Sequence, residues 1–170
     1  MSNSSSHSAA LDAAYTAVAS LSHLHLTAST AESCTGGLIA KLITDVSGAS
    51  AVFNGGIVSY SDELKATILG VSRESLAAHG AVSEPVSIQM ADGARRLCGS
   101  DIAVSATGIA GPAGGSPAKP VGTVYVAVSS ERHSEVLRLS LPSNAGRDAI
   151  RYATAEAALK LIAKTTEFYK

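Results

Sequence analysis

The stretch Ser33-Cys34-Thr35-Gly36-Gly37 joins a predicted strand to a predicted helix and carries two potential nucleophiles. Side chains at the start of a helix face free backbone N–H groups and the positive end of the helix dipole. Such groups bind a phosphate or stabilise the oxyanion of an acyl-transfer intermediate. Ser33 is therefore a candidate nucleophile beside its own oxyanion hole, and Cys34 is its rival. An ordinary capped turn would explain the same residues, and their spacing leaves both interpretations open.

A lysine that could serve as the base follows in the segment "SYSDELK". Tyr60 ends a predicted strand, and Lys65 falls within the first two turns of the next predicted helix. A serine nucleophile needs a base, and a lysine can act as one when burial or a neighbouring cation lowers its pKa. Serine–lysine pairs are a known variant of the catalytic triad. The alternative is that Lys65 is an ordinary solvated helix residue.

A third segment, "TGIAGPAGGSPAKPVGTV", forms a long loop rich in glycine and proline. Ordering such a loop costs entropy, and Gly108 and Gly111 would let the backbone approach a ligand closely. A flexible connection is the alternative. Because His, Cys, Asp and Glu are not clustered at metal-ligand spacing, we expect neither a metal nor a cofactor.

The elements that must position these residues alternate between helix and strand. Apolar periodicity predicts helices over 9–22, 38–46, 61–69, 72–80, 83–99 and 145–169. In the last of these, one face would carry Ile150, Ala153, Ala157 and Leu161. Strands are predicted over 24–31, 52–60 with a break at Gly55-Gly56, 101–108, 121–130 and 135–142. This order favours a three-layer α/β/α sandwich with a mixed sheet and one antiparallel hairpin near the C-terminal third.

Composition narrows the class of protein. The 170 residues suit one domain, over 9–170, after a disordered polar tail at 1–8. With a net charge of −1, 4% aromatic residues and no tryptophan, a nucleic-acid-binding surface is not expected. Without an apolar run of about 18 residues, no membrane span is expected. Two cysteines without an evident partner suit a reducing compartment, so we expect a cytoplasmic protein, and we expect it to be a homo-oligomer.

Taken together, three stretches resemble the C-terminal domain family of CinA, the competence/damage-inducible protein. They are "TAESCTGGLIAKLIT", "FNGGIVSYSDELKATILGV" and "VSATGIAGPAGGSPAKPVGTVYVAV", in that order. The resemblance runs from about residue 12 to residue 165. It implies an α/β/α sandwich and, in the stand-alone members, a nicotinamide-nucleotide amidase. That enzyme converts nicotinamide mononucleotide to nicotinic acid mononucleotide and ammonia in pyridine nucleotide salvage.

The resemblance also implies roles for individual residues. Ser33 becomes the nucleophile, Lys65 the base, and Tyr60 the residue that assists or orients the pair. The helix N–H groups of Thr35, Gly36 and Gly37 would hold the oxyanion, while Thr107 and Gly108 would line the substrate loop. Arg147 is the candidate for the substrate phosphate, because a guanidinium matches phosphate oxygens.

Two other functions fit the same residues. The chain could be a non-catalytic module that binds a nucleotide or a protein partner in competence or the response to DNA damage. It could also be an amidase for a different small amide. The set of Ser33, Tyr60 and Lys65 favours catalysis, because a pure binding module has no need of a lysine near a serine.

Overall fold

The computed structural model describes residues 3–170, which form eleven main elements and two short 3₁₀ turns. The helices are α1 (Asn3–Leu24), α2 (Leu38–Thr44), α3 (Asp62–Thr67), α4 (Arg73–His79), α5 (Glu84–Cys98) and α6 (Arg147–Thr166). The strands are β1 (Ala28–Glu32), β2 (Phe53–Val58), β3 (Ile102–Gly108), β4 (Thr123–Ser130) and β5 (Ser134–Ser140). The 3₁₀ turns are Ala49–Ala51 and Glu167–Tyr169.

The five strands form one mixed sheet in the order β2-β1-β3-β4-β5. β1 lies between β2 and β3 and is parallel to both. β4 is antiparallel to β3 and to β5, so β4 and β5 form the antiparallel hairpin. The prediction of a mixed sheet with one hairpin is therefore confirmed.

Helices cover both faces of this sheet and enclose two apolar cores. The first layer contains α1, α2 and α6, whose buried residues pack with Ile102, Val104 and Val126 of the sheet. The second layer is built on α5, and its core joins Val86 and Met90 of that helix to Ala31 and Ala103 of the sheet. Successive strand residues thus point into opposite cores, which is the alternation of a sheet covered on both faces. The three-layer prediction is confirmed.

The N-terminal region differs from its prediction. Helix α1 begins at Asn3, so a disordered tail is wrong for residues 3–8, and residues 1 and 2 lie outside the described part of the chain. Alanines at 10, 13, 14 and 17 are buried against α6, and this close packing favours helix over a frayed end. Although α1 has 22 residues, no helix within 3–170 combines the length and apolar character needed to span a membrane.

Two strands also differ from their predictions. β1 begins at Ala28 rather than Leu24, because Leu24 still belongs to α1. β2 runs without a break through Gly55-Gly56. A Cβ on Gly56 would meet the Thr30 hydroxyl at 2.5 Å and the Ala40 side chain at 3.1 Å. This glycine therefore allows β1 and α2 to approach β2 closely, rather than ending the strand.

The residues that α6 buries agree only in part with the predicted buried face. Ile150 and Leu161 are buried as expected, but Ala153 and Ala157 are only half-buried. Thr154, Ala158 and Ile162 take their place in the core. The cause is that α6 packs against α1 as well as against the sheet, so its buried stripe is broad.

Candidate active site

The candidate site lies at the carboxyl ends of the three parallel strands. The chain leaves β1 towards β2 on one side and leaves β3 towards β4 on the other, which opens a crevice between the ends of β1 and β3. Ser33 follows β1 directly, and its backbone N–H donates to the Ala106 carbonyl of β3 at 2.9 Å. On the other side, the Ser59 N–H donates to the Glu32 carbonyl at 2.9 Å. Ser33 therefore lies at the topological switch point, the place in the sheet where the strand connections turn in opposite directions.

Strand alternation sets the direction of the side chains at this edge. Ala31 pairs with Ile57 of β2 and with Ser105 of β3, and all three lie on the α5 side of the sheet. Two residues further along the chain from these positions are Ser33, Ser59 and Thr107, of which only Thr107 belongs to a strand. They are 9%, 0% and 1% exposed, so all three are buried at this edge of the sheet.

Lys65 is fully buried, with 1% of its side chain exposed. Helix α3 is started by Ser61, whose hydroxyl accepts a hydrogen bond from the Leu64 N–H. The Lys65 carbonyl accepts from the N–H of Val71, whose side chain enters the core beneath α5. The Lys65 Nζ is 3.4 Å from the Tyr60 carbonyl and 3.5 Å from Asp62 Oδ1. Ser33 thus follows the carboxyl end of β1, and Lys65 lies on the helix that follows β2, the parallel strand paired with β1.

The Cys34 side chain packs in the core between the sheet and the first helical layer, which contains α1, α2 and α6. Burial raises the pKa of its thiol to about 12, an effect to which the nearby Glu32 carboxylate adds. At neutral pH this group is a protonated thiol, whereas the nucleophilic form of cysteine is the thiolate. The environment of Cys34 therefore disfavours the rival nucleophile.

The buried carboxylate of Glu32 already caps the start of α2. It accepts hydrogen bonds from the N–H groups of Gly37, Ile39 and Ala40 at 2.8 to 3.0 Å. The Gly36 N–H donates to the Ser33 carbonyl at 3.1 Å. Because both glycine N–H groups are already engaged, the predicted oxyanion role does not fit Gly36 or Gly37. Within residues 3–170 the N–H groups of Cys34 and Thr35 donate to no backbone carbonyl, and they follow Ser33 directly in the chain.

Tyr60 and Arg147 meet at the first-layer side of the site. The Tyr60 side chain is 63% exposed, and its hydroxyl is 3.4 Å from Nη2 of Arg147. Arg147 also donates through Nη1 to the Gly111 carbonyl at 2.8 Å. The Tyr60 carbonyl, not its hydroxyl, contacts Lys65. Of the predicted catalytic set, Tyr60 thus contributes its backbone to the lysine and its hydroxyl to Arg147.

Thr107 and Gly108 are placed at the end of β3 for reasons of packing. The Thr107 hydroxyl donates to the Ala81 carbonyl at 2.9 Å, which fixes the segment that precedes α5. A Cβ on Gly108 would overlap the Val124 side chain and the Thr123 carbonyl of β4. The Thr107 hydroxyl donates its proton to Ala81 and can still accept a hydrogen bond.

Three neighbours of the site were missed by sequence reasoning. Glu32 caps α2, Arg151 holds the Thr35 carbonyl through Nη2 at 2.7 Å and Nε at 3.3 Å, and Ser59 is a fully buried serine directly after β2. The spacing of Arg147 and Arg151, one helical turn apart, is the signal that could have revealed the second arginine. For Ser59 the signal was its position two residues after Ile57 in a predicted strand, because residues two apart in a strand share one face.

These features define an α/β/α protein with a serine after the central parallel strand of its sheet and a fully buried lysine on the helix that follows the neighbouring strand. Residues 11–166 match the model of the CinA C-terminal domain, and the chain belongs to that family.

Several relatives cover most of the chain. It is 52% identical over 136 residues to the "Nicotinamide-nucleotide amidohydrolase PncC" of Escherichia coli strain K12, which covers 80% of this chain and 82% of that protein. It is 56% identical over 125 residues to a "Putative competence-damage inducible protein" of Caldanaerobacter subterraneus, but there it spans only 30% of the relative's length. A crystal structure of the competence/damage-inducible protein CihA from Agrobacterium tumefaciens superposes with a TM-score of 0.89 at 39% identity. That match covers 95% of this chain and 96% of CihA.

Proposed function

We propose that this protein hydrolyses the carboxamide of nicotinamide mononucleotide to give nicotinic acid mononucleotide and ammonia. The observation that carries the proposal is the 52% identity to a nicotinamide-nucleotide amidohydrolase over 82% of that enzyme's length. The proposal is supported by the pairing of β1 with β2, because Ser33 follows β1 and Lys65 lies on the helix that follows β2, and an amidase of this type needs a nucleophile and a base.

In the proposed mechanism, the neutral amine of Lys65 receives the Ser33 proton as Oγ attacks the carboxamide carbon. The N–H groups of Cys34 and Thr35 stabilise the oxyanion that forms. Lys65 then protonates the departing nitrogen, the C–N bond breaks and ammonia leaves. Water attacks the acyl-enzyme by the reverse proton route and releases the acid. The pyridinium charge of the substrate makes the carbonyl carbon more electrophilic, so a weaker base is sufficient.

Ammonia release from nicotinamide mononucleotide by the purified chain tests this function. We expect turnover by the wild type and a loss of about 10³-fold or more in Ser33→Ala, since the nucleophile would be gone. For the lysine, Lys65→Met is the better variant because it keeps the aliphatic volume of a fully buried side chain. Tight binding without turnover in the wild type would instead support the non-catalytic module.

Arg147 is the proposed phosphate ligand. It is exposed, it lies in the first turn of α6, and no side chain caps that helix. A helix N-terminus with a guanidinium beside it attracts a phosphate. We expect Arg147→Ala to lower kcat/KM for the mononucleotide by about 10- to 100-fold while leaving kcat/KM for nicotinamide riboside unchanged. Arg138→Ala, at an exposed position on β5, is the matched control. Equal losses for both substrates would remove the phosphate role.

The proposal places the protein in pyridine nucleotide salvage in the cytoplasm, as a homo-oligomer acting on a small molecule and not on nucleic acid directly. Its two cysteines are both free thiols, as expected in a reducing compartment. Sedimentation velocity of the purified chain would test the assembly state, and a single monomeric species would contradict it.

A further inference from the structure

The β3–β4 loop, residues 109–122, is fastened to helices on both faces of the sheet. On the first-layer side, Arg147 of α6 donates through Nη1 to the Gly111 carbonyl at 2.8 Å. On the α5 side, the Lys119 Nζ donates to the His79 carbonyl at 2.7 Å, in the last turn of α4. The last carbonyls of a helix lie at the negative end of its dipole, so they are favourable acceptors for an ammonium. Two cations therefore hold this loop, one provided by α6 and one by the loop itself.

Between these two contacts the loop is compact. The Ser116 N–H donates to the Lys119 carbonyl at 2.9 Å, and the Lys119 N–H donates to the Ser116 hydroxyl at 3.1 Å, which closes a turn. Gly111 and Gly115 both pack against Val121. A Cβ on Gly111 would lie 2.6 Å from Cγ1 of Val121, and a Cβ on Gly115 would lie 2.9 Å from its nitrogen. A loop packed this closely around one of its own residues is held as a unit, so the anchor at Lys119 also fixes Gly111.

The Gly111 carbonyl in turn orients the side chain that is proposed to bind the substrate phosphate. Arg147 is exposed, and its contact with the Gly111 carbonyl, at 2.8 Å, is shorter than its contact with the Tyr60 hydroxyl, at 3.4 Å. A guanidinium has five N–H donors, so Arg147 keeps donors for a phosphate while it holds Gly111. A side chain that is oriented before binding loses less entropy when the ligand arrives.

We propose that Lys119 is a positioning residue for the phosphate of the substrate, an inference that rests on the proposed function. Its ammonium anchors the β3–β4 loop to α4, the loop fixes the Gly111 carbonyl, and that carbonyl orients the Arg147 guanidinium. Lys119 acts through Arg147 and does not itself contact the substrate. Its removal therefore weakens binding of the phosphate and leaves the chemistry at the carboxamide unchanged.

The first test is Lys119→Met, which keeps the aliphatic stem and removes the ammonium. We expect kcat/KM for nicotinamide mononucleotide to fall by about 5- to 10-fold through KM, with kcat within about twofold of the wild type. For nicotinamide riboside, which lacks the phosphate, kcat/KM should stay within about twofold. Equal losses for the two substrates, or a wild-type KM for the mononucleotide, would overturn the positioning role.

Two further variants separate positioning from a general effect of a lysine. Lys119→Arg keeps a donor for the His79 carbonyl, and we expect it to restore KM to within about threefold of the wild type. Lys160→Met is the matched control, because Lys160 is an exposed lysine of α6 that pairs with Glu156. It should change neither substrate's kcat/KM. A rise in KM for Lys160→Met as large as that for Lys119→Met would contradict the proposal.

The double variant Lys119→Met/Arg147→Ala tests whether Lys119 acts through Arg147. If it does, replacing Lys119 should change kcat/KM for the mononucleotide by less than about twofold once the guanidinium is gone, because the two effects are then not additive. A loss of about 5- to 10-fold in that background as well would overturn the proposal. Lys119 would then act by its own charge on the phosphate or through the stability of the fold.

Calorimetric titration with nicotinamide mononucleotide distinguishes this proposal from the proposed function. In a Ser33→Ala background, where the substrate is not consumed, we expect Lys119→Met to raise Kd by about 5- to 10-fold. If the wild type binds the mononucleotide but releases no ammonia, the amidase function fails, and the ratio of the two Kd values still decides the role of Lys119. If the wild type is active and Lys119→Met leaves KM and Kd unchanged, only the positioning role fails.

Discussion

At the scale of single residues, two neighbouring candidate nucleophiles have different surroundings. Cys34 packs in the core between the sheet and the first helical layer, whereas Ser33 is buried at the carboxyl end of β1, where its N–H donates to the Ala106 carbonyl. The sequence places both residue types in one loop, and only the fold assigns them to different environments.

Replacing Cys34 tests this separation. We expect Cys34→Ala to keep kcat within about threefold of the wild type, because a thiol with a pKa of about 12 is not ionised at neutral pH. The cost should fall on stability, at about 1 kcal/mol for a buried truncation. Steady-state ammonia release and a denaturant melt measure the two effects. If Cys34→Ala were inactive and Ser33→Ala active, the nucleophile would be Cys34.

The same thiol predicts a dependence of stability on pH. Its pKa is raised by burial from an ordinary value of 9.0 to about 12 in the folded protein. Between these values the unfolded chain loses the proton and the folded chain keeps it, so the free energy of unfolding falls as pH rises above about 9. Denaturant melts at pH 8 and pH 10 should therefore show a larger loss in the wild type than in Cys34→Ala. Equal losses in the two proteins would contradict the buried thiol.

At the scale of elements, the start of α2 depends on a side chain from the strand before it. The Glu32 carboxylate accepts three backbone N–H bonds from α2 and its preceding turn. Since Glu32 directly precedes Ser33, this cap fixes the loop that carries Ser33 as well as the helix.

Glu32→Gln tests the cap. An amide presents an NH₂ group where the carboxylate presented oxygen, so at least one buried N–H loses its acceptor. We expect a loss of about 2 kcal/mol or more in the free energy of unfolding, as for hydrogen bonds to a charged group. Glu74→Gln, on the exposed first turn of α4, should change it by less than about 0.5 kcal/mol. Similar losses in both variants would mean that the carboxylate does not hold α2.

The elements also show what the sequence could and could not predict. Helix and strand order, the hairpin and the switch-point location followed from periodicity and from the rule that parallel strands end at one edge. The predicted break at Gly55-Gly56 was wrong, because the sequence does not distinguish a glycine needed for close packing from one needed for a turn. The engagement of the Gly36 and Gly37 N–H groups could not be predicted either, since their acceptors are fixed only when the loop folds.

At the scale of the whole molecule, the site lies where the two helical layers meet across the end of the sheet. Arg147 and Arg151 reach the site from α6, Arg147 at the Tyr60 hydroxyl and Arg151 at the Thr35 carbonyl. In the proposed function, a substrate with its carboxamide at Ser33 and its phosphate at Arg147 would cross the crevice between β1 and β3. The N-terminal turns of α6 thus hold both the loop after β1, through Thr35, and the loop after β3, through Gly111.

Arg151 tests this long-range support because it contacts the site only through backbone. Its guanidinium holds the Thr35 carbonyl with two donors, and Arg151→Met would keep the aliphatic stem while removing both. A small displacement of a reacting group costs a large part of the rate, so we expect kcat to fall by about 10-fold or more. The control is Arg132→Met, whose guanidinium donates to the Phe168 carbonyl by the C-terminal turn, away from the strand ends that carry Ser33. We expect Arg132→Met to lose about as little stability as Arg151→Met and to keep its kcat. Wild-type kcat in Arg151→Met would show that the loop after β1 keeps its geometry without α6, and the crevice would then be organised by the sheet alone.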